Sequence, residues 1–226
     1  MIPVVKESLS EFKNSLPGMV VAAIPWIGAA ILLAILSYVF SESLTGAIGY
    51  LLMTIVGLVV QGLIAFSALR VLYKRREVDI AISQKKVLTY LFAMIYIGIA
   101  ASMGFILLVV PGIVIMAACF FVPVYILKDG QGPIESVASS ATLLQGRVLH
   151  VTLLLCCIWA AILISDYIIS FIFWYIPLPF VLREIFVTFA SIVISMVTLP
   201  VMVNLREFLE HEHNKSMQPT PAATAD

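Results

Sequence analysis

The sequence predicts an all-α membrane protein, a bundle of six transmembrane helices preceded by an amino-terminal interfacial amphipathic helix. Three observations predict it. The 226 residues are 62% apolar and only 12% charged, with a mean hydropathy of +1.10, far from the composition of water-soluble domains. The apolar residues fall in runs long enough to cross ~30 Å of hydrocarbon as helix. Lys and Arg concentrate in alternate connections between those runs, as the positive-inside rule requires.

The elements follow in order. Ile2, Val5, Leu9, Phe12 and Leu16 recur at steps of three and four, with Lys6, Glu7, Ser8, Glu11, Lys13 and Asn14 between them. That spacing predicts an amphipathic helix over 1–16, lying in the membrane interface. Charges recur through the whole segment, unlike the uninterrupted apolar core of a signal peptide, so it is expected to be retained. The first span runs from about Pro17 to Phe40 and the second from about Gly46 to Tyr73. No charge occurs between Lys86 and Lys128, about twice the length of one crossing, so the chain must double back. Pro111-Gly112 marks the turn, because proline fits the first turn of a new helix but not the middle of an old one. Span five runs from about Val148 to Tyr175. Pro177-Leu178-Pro179 then turns the chain, and span six runs from about Phe180 to Leu205.

Arg70, Lys74, Arg75, Arg76, Lys85 and Lys86 lie between spans two and three, Lys128 and Arg147 between four and five, and Lys6, Lys13, Arg206 and Lys215 near the termini. All fall on one side, which is therefore the expected cytoplasmic side; the other side has only Arg183. Aromatic residues such as Tyr38, Phe40, Tyr50, Trp174 and Tyr175 mark the outer boundary, and Tyr73, Tyr90 and Tyr125 the inner one. The chain thus divides into an interfacial helix (1–16), a six-span domain (17–209) and a polar tail (210–226) expected to be disordered. Pro17-Gly18 with its following apolar residues faintly echoes Pro111-Gly112; two related three-span halves, as in many transporters, would give such an echo, and so would common residue types with a one-residue slip.

Little in the chain carries chemistry. Asp166 is the one acid well inside a span; about 28 Å along a helix from Arg147, it is expected near the outer interface, where Arg183 can meet it across the turn. An interfacial ion pair Asp166–Arg183 is one reading, and a polar cavity for a solute or proton the other. Cys119, Cys156 and Cys157 lack the spacing of a metal site or a disulfide framework and read as small buried hydrophobes. His150 stands alone. Glu210-His211-Glu212-His213 does not preorganise a tetrahedral site. Ser136, Ser139 and Ser140 lack a partnering base. Lys74, Arg75, Arg76, Lys85 and Lys86 are candidate contacts for anionic lipid head groups. Gly57, Gly62, Gly98, Ala101, Ser102 and Gly104 are expected to let helices approach closely. No catalytic residue, cofactor, metal or nucleic-acid partner is expected.

From Pro111 the sequence reads Pro-Gly, an apolar span ending Val122-Pro123-Val124, and then Gly132, Glu135, Val137, Ser140, Leu143 and Gly146 in the pattern Gly-x-x-Glu-Ala-Leu-x-x-Ser-x-x-Leu-x-x-Gly. This resembles the bacterial YciC-like inner-membrane proteins and the membrane domain associated with glycerophosphoryl diester phosphodiesterases. Basic residues usual before the serine and the final glycine are replaced here by Ala138, Ser139 and Gln145. The resemblance implies a cytoplasmic amphipathic helix between spans four and five and a bacterial inner (plasma) membrane location with both termini cytoplasmic. It does not imply the hydrolase, whose barrel needs roughly 250 further residues.

The functional expectation is a non-enzymatic membrane component of the cell envelope, in contact with anionic lipid and with a membrane protein partner or a second copy of itself. The alternative is a small-solute transporter or channel using Asp166 and Arg183.

Overall fold

A computed structural model describes residues 2–39, 47–78, 83–107 and 109–217. The described chain is helical, and six of its stretches are long and apolar enough to cross a membrane: Pro3–Leu36, Ile55–Arg75, Gln84–Gly104, Val110–Asp129, Val148–Tyr175 and Val181–Lys215. They are built from α1 (Ile2–Val39), α2 (Ala47–Arg75), α3 (Gln84–Leu107), α4 (Val109–Ala118), α5 (Val122–Val124), a π-helical turn (Tyr125–Asp129), α7 (Val148–Tyr175), α8 (Phe180–Ser195) and α9 (Thr198–Met217). The short α6 (Pro133–Leu143) joins spans four and five, where the resemblance placed an amphipathic helix. The first residues of α1 and the last of α9 lie together at the basic end of the bundle; the α7–α8 turn lies at the distal end. The end of span one and the start of span two, with Phe40, fall outside the described residues, as does 218–226.

Two sequence expectations need correction. Residues 1–16 do not form a separate helix in the interface, because α1 runs without a break from Ile2 through Pro17 and Pro25. The stripe that seats it is not the apolar one. Val4, Ser8, Ser15 and Met19 are buried, while Leu9 of the apolar stripe is 52% exposed. The Ser8 and Ser15 hydroxyls donate back to the carbonyls of Val4 and Glu11, both at 2.7 Å, so these small polar residues can be buried without loss. At ~1.5 Å per residue α1 is about 57 Å long, well beyond the hydrocarbon. Its first turns therefore form, with α6 and the end of α9, a helical base outside it. The same packing explains the second correction: 210–217 is not disordered but completes α9, held by Glu210 and Glu212 pairing with Arg206 and Arg147.

Spans four and six are each interrupted, and proline accounts for both. A proline cannot bond to the carbonyl four residues earlier and its ring crowds that carbonyl. Pro123 stands four residues after Cys119, and the helix opens at 119–121; Pro200 stands four after Met196, and it opens at 196–197. The first gap is closed by α6. The Ser140 hydroxyl donates to the Ala118 carbonyl and accepts from the Phe121 N–H at 3.2 Å, satisfying both groups that the break orphans. Glu135 caps the start of α6 by accepting from the Gly132 N–H at 3.2 Å, and Gly146, at φ +77°, supplies the left-handed turn beyond it. The spacing of Gly132, Glu135, Ser140 and Gly146 thus has a structural explanation. Ser140→Ala is expected to cost about 1–2 kcal/mol, by leaving a buried N–H and carbonyl unpaired; urea unfolding in detergent micelles measures it.

Close helix approach occurs both at α1–α2, where a Cβ on Gly18 would stand 3.0 Å from Val71 Cγ1, and at α3. A Cβ on Gly104 would stand 2.9 Å from the Gly112 Cα, so α3 and α4 touch backbone to backbone. Gly98 faces Leu58 and Gly62 faces Leu91, where a Cβ would stand 3.3 Å from a leucine methyl and the leucine would have to shift by a few tenths of an ångström. Ser102 is exposed and donates to the Gly98 carbonyl, so it takes no part in that contact. The core lies toward the basic end, around Met19, Leu69, Tyr73, Tyr90, Phe121, Ile126 and Leu205. Cys119 is buried, but Cys157 is exposed on α7, so it is not a core residue as expected.

Candidate functional site

The basic end is organised by two arginines. Arg76 follows α2 in a turn closed by its N–H to the Tyr73 carbonyl at 3.0 Å. Its guanidinium donates to both Glu11 oxygens at 2.7 and 2.6 Å and to the Asn204 side-chain oxygen, and pairs with Glu207 at 2.8 Å. Asn204 in turn donates to Glu11 at 2.9 Å and Ser8 at 3.1 Å. Burial works against the Arg76 charge, but Glu11 and Glu207 outweigh it and hold its pKa above the ordinary arginine range. The expectation that Arg76 contacts lipid head groups is therefore corrected: its donors are spent inside the protein. Lys74, Arg75 and Lys85 are exposed and Lys86 half-buried, and none of the four is in an ion pair among the described residues.

Arg206 is more deeply enclosed, with 5% of its side chain exposed. It pairs with Asp129 at 2.6 Å and Glu210 at 2.7 Å, and its guanidinium carbon lies 4.0 Å from the centre of the Tyr125 ring. The π-helical turn presents Tyr125 and Asp129 together, and Gly130 at φ +69° ends it. Arg206 thereby fastens α9 to span four. Arg147 pairs with Glu212. Between the Arg76 cluster and Lys128 lies an open cavity of about 790 Å³ lined by acids and bases alike, including Glu7, Glu11, Arg75 and Glu207.

Inside the membrane the arrangement is different. Asp166 accepts a hydrogen bond from the Ser191 hydroxyl at 2.8 Å. Arg183 lies over the Trp174 ring at 5.1 Å. The expected Asp166–Arg183 pair is thus replaced: Ser191, at the level of Asp166, is two turns or about 12 Å along α8 from Arg183. Along span six, the level of Asp166 is about 20 Å from Asn204 and the charged cluster. It forms one wall of a cavity of about 460 Å³ with Gln61, Met94, Ser191, Ser195, Met196 and Thr198. The break at 196–197 opens onto this cavity.

The other sequence candidates remain scattered. His150 is exposed on the first turn of α7, and no group of three metal-ligating side chains forms among the described residues. Glu11, Asn204, Gln61 and Ser191 were missed, although Asn204 and Gln61 are polar residues within apolar runs and carried that signal. No protein-family model, curated protein or solved structure matches this chain.

Proposed function

We propose that this protein is a non-enzymatic, multi-pass component of the bacterial inner membrane. Both termini are cytoplasmic, and its basic end engages anionic lipid head groups. The observation that carries the reading is how the cations are used. Arg76, Arg147 and Arg206 are paired within the protein, while Lys74, Arg75, Lys85 and Lys86 at the same end are left to the surroundings. Each is worth about 1 kcal/mol near an anionic leaflet. The resemblance of residues 111–147 to the pattern of YciC-like proteins supports the location, and the same basic end supports the orientation. A membrane protein partner or a second copy of the chain belongs to the same reading. To test the lipid contact, the protein is purified from nanodiscs of mixed phosphatidylglycerol and phosphatidylcholine and its retained lipid quantified. Changing Lys74, Arg75, Lys85 and Lys86 together to Gln is expected to reduce the retained phosphatidylglycerol severalfold; an unchanged lipid complement refutes the reading.

A second reading, passage of a small solute, is favoured by the two broken spans and the cavity at Asp166. It does not involve an Asp166–Arg183 pair. Solute flux across proteoliposomes that vanishes in Asp166→Asn, with folding preserved, would replace the first reading by the second.

A further inference from the structure

We propose that the cavity beside Asp166 binds a monovalent cation, either an alkali-metal ion or a primary ammonium group, within the membrane. The inference rests on neither reading of the overall function, since a bound cation serves equally as a fixed counter-ion or as cargo.

Charge balance is the first argument. A carboxylate in hydrocarbon is costly unless it is neutralised. Among the described residues Asp166 is in no ion pair, and its one hydrogen-bond donor is the neutral hydroxyl of Ser191. The nearest cation on the neighbouring helix, Arg183, is about 12 Å along the axis and sits over Trp174.

The second argument is the polarity of the wall. A hydroxyl has one hydrogen and two acceptor lone pairs. Here every hydroxyl hydrogen on the wall is already committed: Ser191 donates to Asp166, Ser195 to the Ile192 carbonyl and Thr198 to the Ser195 carbonyl, each at 2.8 Å. What these side chains can still offer a ligand is lone pairs alone. Gln61 adds an amide from α2, whose oxygen can accept and whose NH2 can donate. The end of α8 and the start of α9 both reach the cavity across the break, so their opposite terminal dipoles offset each other and the Asp166 carboxylate sets its sign. Apart from the Gln61 amide, an anion finds no uncommitted side-chain donor here, and it meets the Asp166 carboxylate. A hard cation, or an ammonium group that only donates, meets a carboxylate and several neutral oxygens, the donor set such ions prefer. About 460 Å³ leaves room for an ion with part of its water, or for a small alkylammonium.

The test uses the full chain in detergent micelles, unfolded thermally at fixed pH and ionic strength in sodium, potassium, methylammonium or N-methylglucamine chloride. The bulky last cation is the reference. A cation that binds the folded state raises the midpoint with its concentration; a rise of several degrees is expected in at least one of the first three salts. Response to sodium or potassium identifies a metal ion, and response to methylammonium an organic cation. Asp166→Asn is expected to fold and to lose the response, and Ser191→Ala to weaken the apparent affinity about tenfold. Equal midpoints in all four salts overturn the proposal, including the case in which the midpoint follows pH alone and a proton is the counter-ion. Should Asp166→Asn fail to fold, equilibrium binding of radiolabelled sodium, rubidium and methylammonium to the wild-type protein decides: one site for any of them supports the proposal, and none overturns it.

Discussion

Arg206→Ala is expected to lower the unfolding free energy by about 3 kcal/mol, the largest effect of any single charge removal in this protein. Truncating one member of a buried ion pair typically costs 3–5 kcal/mol, because its partners keep their charge without compensation. Asp129 and Glu210 retain about a third of their exposure and rehydrate in part, which sets the expected value at the low end. The lost stack on Tyr125 adds to it. Lysine is not an adequate substitute. A single ammonium cannot present two forked bonds, to Asp129 and Glu210, while lying flat on a ring. Arg206→Lys is therefore expected to recover less than half of the loss. Chemical unfolding in micelles, followed by tryptophan fluorescence, measures both; an Arg206→Ala protein as stable as wild type would remove Arg206 from its role as the fastening between α9 and span four.

Replacing Gly104 by Leu is expected to be about as damaging, near 3 kcal/mol, for a steric reason. The first added atom already meets the backbone of Gly112 at 2.9 Å, and a backbone cannot rotate aside as a side chain does. The whole of α4 must shift, and overpacking of this kind costs roughly 1–3 kcal/mol or more. Even Gly104→Ala is expected to lose about 1 kcal/mol. Gly28→Ala is the control: nothing lies within 4 Å of the new atom, and the change should be neutral or stabilising by up to about 1 kcal/mol through helix propensity. Equal stability for Gly104→Ala and Gly28→Ala would show that α3 and α4 are not in contact as described.

The six spans were legible because their signals are local: apolar length, charge at the ends and proline in the connections. The charged clusters were not. Nothing within ten residues of Glu11 announces Arg76 or Asn204, and the pairing arises only when three helices meet. Asp166 shows the same limit from the other direction. Its presence in a span was plain, and Arg183 looked like its natural counter-charge because both lie near one turn. Which residue faces it depended on the register of α7 against α8, and that register put Ser191 opposite. The prolines were read with mixed success for a physical reason. Pro177 and Pro179 stand at a turn and Pro111 in the first turn of α4, whereas Pro17 and Pro25 are carried inside the unbroken α1, which no local rule contains. Pro123 and Pro200 lie inside spans that the apolar runs alone describe as continuous, and the helix opens ahead of each, with the gap before Pro200 beside the Asp166 cavity.

The meeting of Ser8, Glu11, Arg76 and Asn204 also has a consequence for biogenesis. These groups belong to the first, second and last segments to enter the bilayer. During synthesis Glu11 and Arg76 can find each other early, yet the third member arrives only when nearly the entire polypeptide has been inserted. The cluster therefore works as a latch on completion: a chain truncated before Asn204 would leave a half-satisfied ionic site at the head-group level, a mark by which an unfinished product differs from a finished one.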